Sequence, residues 1–237
     1  MVIFIKGGKD SLVFKIVDLK QIISIVIPHF VNYPLLTQKK ADFELFKLIV
    51  EIMDRKEHLL SNGLQEIVNL KASLNFGLSE GLQELFPNTI PVPRSLVDNM
   101  KLPHPQWLAG FASGEGCFAV SIRKSSAYKA GVQVLLRFSL TQHSKDEQLL
   151  KNFVDYLGCG KVYTRGNADK VEFIAYKLSD LVGKVLPFFR EYRILGIKSQ
   201  DFSDWCKICE LVESKKHLTT EGLLLISELK AGMNKGR

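Results

Sequence analysis

The spacing of hydrophobic and polar residues changes several times along the 237-residue chain, and each change predicts an element. VIFI and LVFKIV flank the turn Lys6-Gly7-Gly8-Lys9-Asp10-Ser11, which predicts a β-hairpin over residues 2–17. From Asp18 to about Tyr33 the apolar positions take up helical spacing. A longer helix is expected over Lys39 to His58, offering Phe43, Phe46, Leu48, Ile49, Ile52 and Met53 to a core, with Asn62-Gly63 as its break. Further helices are expected at 64–74 and 79–85, before Pro87, Asn88, Pro91 and Pro93 make a stiff polar connection. This connection reads as a domain boundary.

Beyond it, Pro103 and Pro105 precede the stretch WLAGFASGEGCF, Trp107 to Phe118. Proline is tolerated at a helix start and glycine ends a helix, so the stretch reads as a short helix closed by Gly114 and Gly116. Leu108, Phe111 and Ala112 would seek a core, while Ala109, Gly110, Ser113 and Gly114 leave the rest nearly bare of side chain. Glu115 puts a carboxylate on the negative end of the helix dipole, a cost of about 0.3–1 kcal/mol that a nearby cation would offset. A carboxylate beside free helix-end carbonyls is also a hard oxygen site of the kind that holds magnesium.

Two strands should follow, 117–123 and 131–141. In the second, Val132, Val134, Leu136, Phe138 and Leu140 alternate with Gln133, Leu135, Arg137, Ser139 and Thr141. In the first, Phe118, Val120 and Ile122 oppose Ala119, Ser121 and Arg123. A helix at 145–157, the turn Gly158-Cys159-Gly160 and strands at 161–165 and 170–176 complete the pattern.

The chain repeats itself. Between Pro28 and Gly77, many residues recur identically at an offset of 159, among them Lys39 as Lys198, Asp42 as Asp201, Lys56 as Lys215, Gly63 as Gly222 and Asn75 as Asn234. His58 and His217, which close equivalent helices, therefore read as helix-end residues rather than metal ligands. By the same offset, the counterparts of 102–160 would fall largely before Met1, so the expectation is one and a half units. Residues 1–86 would be a partial first repeat, 87–104 a linker and 105–237 a complete second repeat.

Composition narrows the function only a little. Thirty-two Lys+Arg against 25 Asp+Glu give a formal charge of +7, which suits a polyanionic partner without naming one. Four scattered cysteines suggest reduced thiols, and the Cys206–Cys209 pair in a helical pattern suggests core residues more than a zinc site. The longest apolar run, Ile22 to Ile27, is too short to span a bilayer, and the N-terminus has no import signal. Neither a GxGxxG nor a GxxxxGK[ST] phosphate loop is present, which argues against a nucleotide-using metabolic enzyme.

Residues 108–116, LAGFASGEG, resemble the LAGLIDADG signature: Leu-Ala-Gly and the last Gly match, and Glu115 stands at the acidic eighth position. Ser113 and Gly114 replace the family's aspartate and alanine. With the repeat, nearly the whole chain resembles the single-chain LAGLIDADG homing endonucleases of fungal mitochondrial introns. The resemblance implies an α+β fold of αββαββα repeats with saddle-shaped antiparallel sheets, the first repeat here incomplete. It implies a pseudo-dimeric monomer when full length, acting in the mitochondrion, with no membrane partner.

The same resemblance implies site-specific cutting of double-stranded DNA, with Mg2+ held by Glu115 and the Gly114 carbonyl. Gln142 matches an active-site glutamine, and Lys198, with its repeat partner Lys39, a lysine that stabilises the transition state. By themselves, a glutamine before a helix can be a cap and a loop lysine a solvated residue. On the strand faces, Ala119, Ser121, Arg123, Gln133, Leu135, Arg137, Ser139, Thr141, Lys161, Tyr163 and Arg165 would lie along the major groove, with Lys124 and Lys129 on phosphates. The alternative is a protein that binds without cutting, either a maturase on intron RNA or a degenerate DNA-binding remnant. The major groove of A-form RNA is too narrow for such a face, which favours DNA.

Overall fold

The alternating N-terminal residues pair as β1 (Val2–Gly8) and β2 (Ser11–Ile16), an antiparallel hairpin. Asp18 then accepts the Gln21 N–H at 2.9 Å and starts a helical stretch of α1 (Leu19–Gln21), a π turn (Ile22–Val26) and α2 (Ile27–Asn32). The π turn has a local cause. Pro28 has no N–H to donate back along the helix, and the wider turn just before it accommodates that gap.

α3 (Lys39–Asp54), a 3-10 turn (Glu57–Leu59), α4 (Ser61–Ala72) and α5 (Glu80–Leu85) follow. Leu45, Ile52 and Leu70 form a core with Ile49, Ile67, Leu74 and Val92 against them. Leu48, expected inside, is exposed.

Helix α3 stops four residues before the expected His58. The break is Lys56, whose φ of 60° no helix continues, and not Asn62-Gly63. Gly63 sits within α4, where a Cβ would run into the Glu57 carbonyl, so its role is to let α4 start hard against the preceding turn. Nor does the proline-rich segment leave α4 freely. Val92 N–H donates to the Asn69 carbonyl, Ser73 Oγ donates to the Val92 carbonyl at 2.6 Å, and Ile90 N–H donates to Asn69 Oδ1 at 3.0 Å.

The computed structural model describes residues 2–8, 11–97, 102, 104–127, 131–164, 166 and 169–234, and divides into the units Met1–Asp98 and Asn99–Arg237. The second unit runs α6 (Pro105–Glu115), β3 (Gly116–Lys124), β4 (Val132–His143), α7 (Glu147–Leu157), β5 (Lys161–Thr164) and β6 (Lys170–Ala175). It continues through α8 (Leu178–Asp180), a second π turn (Leu181–Val185), α9 (Leu186–Glu191), α10 (Lys198–Glu213) and α11 (Thr220–Ala231).

The sheet order is β3-β4-β6-β5, antiparallel throughout. Phe118, Phe138, Leu140, Val171 and Phe173 cover one face and are fully buried with Leu150, Phe153, Phe189 and Trp205 from the helices. Cys206 and Cys209 are buried too, and burial pushes the Cys206 thiol up to about 11 and Cys209 higher, as expected for inert core thiols.

The repeat is structural as well as sequential. The two π turns lie 159 residues apart, as do the left-handed residues Lys56 and Lys215, and Asn75 and Asn234. β1 departs from it: Ile3 pairs with Lys15, whereas Lys161 pairs with Ile174, a slip of one residue in the hairpin register. Exposure departs further. Leu12 and Phe14 are 78% and 60% exposed, while their counterparts Val171 and Phe173 are at 0%. In the second unit that face is covered by α7 and flanked by β4; the described residues of the first unit include neither.

Candidate metal and nucleic-acid site

α6 is fastened at both ends. His104 Nδ1 accepts the Gln106 N–H at 3.1 Å and Pro105 takes the first helical position. Leu108, Ala109 and Ala112 are buried, and Trp107 and Phe111 stack on one another and lean on Phe153 of α7. At the C-terminal end Ser113 Oγ donates to the Ala109 carbonyl at 2.8 Å and accepts the Leu195 N–H at 3.0 Å, so the helix end is tied to the loop before α10.

Gly116 then turns directly into β3 with no intervening loop. A Cβ there would overlap the Ala112 carbonyl, and only glycine allows so abrupt an exit. The consequence is that Glu115 stands exposed on the corner between helix and strand.

The cation that Glu115 called for is present. Lys198, first residue of α10, donates from Nζ to the Gly114 carbonyl at 2.8 Å. Partial burial holds its amine below the usual lysine range, against the pull of Cys117, Glu115 and Asp201. Asp201 Oδ1 accepts the Asn234 N–H at 2.9 Å, and the Asn234 amide donates to the Phe118 carbonyl at 3.2 Å. The starts of α10 and β3 are thereby locked together around Gly114 and Glu115. Gln142 lies on the Leu140 side of β4, paired with Val171, and no hydrogen bond among the described residues ties it to this group. No cluster of three His, Cys, Asp or Glu exists among the described residues. The donors on hand are thus one exposed carboxylate and adjacent carbonyls, a set that fits magnesium when phosphate oxygens and water complete the shell.

The strand register places the expected interface residues on one face. Ala119 pairs with Arg137, Ser121 with Leu135 and Arg123 with Gln133, while Lys161 and Tyr163 reach the same side through Ile174 and Glu172; Lys124, paired with Val132 at the strand end, falls on the opposite face. Thr141 and Lys161 are exposed and Tyr163 is 39% exposed.

Ser139 differs from the expectation of a groove contact. It is 3% exposed, because β4 is a central strand and the short side chain sits between Cys117 and Ile174. Sequence reasoning missed Glu172 on this face: it is 4% exposed and lies 3.9 Å from Arg137. The alternation in KVEFIA, 170–175, was the signal available for it. Lys129 and Arg165 lie outside the described residues.

In the first unit Lys39 opens α3 as Lys198 opens α10, but its amine goes to Asn75 Oδ1 at 2.9 Å and Asp42 Oδ2 at 3.4 Å. No helix of the described residues is long and apolar enough to cross a membrane.

A family model for the LAGLIDADG endonuclease matches residues 2–50 and 108–209. The chain is 40% identical over 229 residues to "Probable intron-encoded endonuclease 3" of Neurospora crassa, covering 96% of this chain and 42% of that protein. It therefore spans less than half of that relative's length.

Among solved structures it is similar to I-SmaMI, a LAGLIDADG homing endonuclease bound to cleaved DNA: TM-score 0.97, 43% identity, 100% of this chain and 79% of that one. I-SmaMI bound to uncleaved DNA in the presence of calcium ions gives a TM-score of 0.96 and 43% identity over 99% of this chain and 80% of that one. A double lysine-to-alanine mutant of I-SmaMI gives 0.96 and 42% over 100% and 80%, and its two substituted positions are 159 residues apart. With the family match running through the α6 corner, the four-stranded sheet and most of α10, and back into the first unit, the chain belongs to the LAGLIDADG endonuclease family.

Proposed function

We propose that this chain forms part of a site-specific double-strand DNA endonuclease of the intron-homing kind, with residues 105–234 as one complete αββαββα half. The observation that carries the reading is the α6 corner, an exposed Glu115 carboxylate with Lys198 held 2.8 Å from the neighbouring Gly114 carbonyl, at the head of a sheet whose free face is rich in polar and basic side chains. The lysine spacing supports it. Lys39 and Lys198 stand 159 residues apart, the separation of the two lysines removed in the I-SmaMI double mutant.

In this reading Glu115 and the Gly114 carbonyl hold Mg2+. The ion, when bound, neutralises charge that develops on the scissile phosphate and activates water. Lys198 adds a positive charge beside that phosphate, its amine held below the usual lysine range by partial burial. Gln142 orients water at the strand end. Arg123, Gln133, Arg137, Lys161 and Tyr163 read base edges in the major groove, with Lys124 on phosphate. Buried Ser139 shapes that face rather than touching the groove.

Cutting both strands requires a second carboxylate-bearing helix end, which this reading places outside residues 1–237, in further sequence of the same polypeptide or in a partner chain. The bare face at Leu12 and Phe14 fits such a completed first half. Synthesis and action inside the mitochondrion complete the proposal.

The test is cleavage of a plasmid bearing the intronless insertion site, with Mg2+, by this chain and by an upstream-extended form, each with Glu115→Gln. Cleavage by the extended form that drops by at least about 10³-fold in its mutant, with DNA binding retained, is the expected result. Tight binding of DNA or intron RNA by every form, without cutting by any, would replace the nuclease reading with a binding or maturase role.

A further inference from the structure

We infer that Arg94 is a positioning residue for the Lys39 amine: its guanidinium occupies the Asp42 carboxylate and so keeps Lys39 from closing onto it. The inference rests on the reading above in giving Lys39 a role at phosphate, but its structural core stands on the first unit alone.

The Asp42 side chain is 15% exposed and serves three donors. Oδ1 accepts Arg94 Nη1 at 2.7 Å and the Asn75 N–H at 3.1 Å, while Oδ2 accepts Lys39 Nζ at the longer distance of 3.4 Å. One carboxylate therefore faces two cations, and the arginine holds it more closely. Arg94 does more than pair. Nη1 also donates to the Ser73 carbonyl at 2.7 Å and Nη2 to the Gln38 carbonyl at 3.4 Å, joining the end of α4 to the residue just before Lys39. The bonds from Ile90 and Val92 to Asn69 and Ser73, and the fixed φ of Pro93, deliver the guanidinium to this place. The segment expected to be a plain linker thus contributes a working side chain.

The second unit shows the alternative. There the Asn234 amide is spent on the Phe118 carbonyl and Lys198 reaches the carbonyl at the α6 end. Lys39 instead rests on Asn75 and Asp42, with its side chain 66% exposed. With Arg94 satisfying Asp42, Lys39 makes only a long ion pair and remains available to another acceptor. Without Arg94 the carboxylate is left with Lys39 as its one nearby cation among the described partners, and the pair tightens.

Trace acetylation of the 237-residue chain with acetic anhydride, read by mass spectrometry as the ratio of Lys39 to Lys198 labelling, tests this. Arg94→Ala should lower the ratio about two- to five-fold, the range for an exposed ion pair. Arg94→Lys should recover at least half of the loss. Asp42→Asn added to Arg94→Ala should restore the ratio, which a merely structural role for Arg94 would not do. An unchanged or increased ratio in Arg94→Ala, or no recovery on adding Asp42→Asn, overturns the inference. If those results hold but Lys39→Ala leaves cleavage by a cutting form untouched, the role of Lys39 at phosphate is what fails, and the Arg94 arrangement stands.

Discussion

Lys56 and Lys215 each hold φ at 60°, where a side chain costs about 1 kcal/mol that glycine does not. Lys56→Gly and Lys215→Gly should each raise the urea-unfolding free energy by about 0.5–1 kcal/mol. Gly63→Ala and Gly222→Ala should do the opposite, by about 1–3 kcal/mol, because the added Cβ meets a backbone carbonyl in both turns. Equal effects at the paired positions would show that the repeat extends to energetics. Asp42 gives a pH signature. Its carboxyl is held below the usual range by Arg94, the Asn75 N–H and Lys39, against desolvation as the largest single influence in the other direction. A lowered folded pKa means the contribution is complete above the unfolded value near 3.8 and is lost as pH falls through the folded value. The stability gap between wild type and Asp42→Asn should therefore be constant above about pH 5 and shrink toward pH 2. At this scale the sequence was informative about chemistry and silent about conformation. Glu115 and the polar strand positions could be named from residue type and spacing, and Lys198 from the family resemblance and the repeat. The left-handed turn at Lys56 could not, because nothing in a lysine signals positive φ, whereas Asn62-Gly63 looked like the break and is helix.

Among the elements, α6 depends on its neighbours for the placement of Glu115. Phe153 is fully buried against Trp107 and Phe111, so Phe153→Ala should cost about 3–5 kcal/mol and loosen α6 with it. Ser113 is the finer probe. Removing its hydroxyl leaves the Leu195 N–H unpaired, so Ser113→Ala should cost about 1 kcal/mol and, on the proposed function, slow cleavage by the extended form while leaving its DNA affinity near wild type. Equal cleavage rates for Ser113→Ala and wild type would show that the α6–α10 tie is dispensable. Strand alternation predicted β3, β4, β5 and β6 to within a few residues, since a half-buried sheet imposes a period of two. It could not say that β4 is central and Ser139 therefore covered. That depends on β6 pairing with β4 across the intervening α7 and β5.

At the scale of the molecule, the +7 charge and the polar sheet face predict a steep salt dependence of DNA binding, about −0.9 in log K against log salt for each phosphate engaged. A slope near zero in a fluorescence-anisotropy titration would count against a phosphate-tracking interface. The hairpin face predicts self-association. Phe14→Lys, on a residue 60% exposed, should reduce light scattering by the 237-residue chain without lowering its unfolding free energy. The sequence by itself determined the repeat, the order of helices and strands and the acid at the end of α6, because periodicity, helix signals and residue identity are written along the chain. Only the tertiary structure decided that Lys198 meets the Gly114 carbonyl, that Glu172 shares the polar face with Arg137, that β1 slips one residue from the repeat, and that Arg94 holds Asp42. Each of these joins groups far apart in the chain, or fixes one of several registers of similar local propensity, and what selects among them is the packing and hydrogen bonding of the folded units.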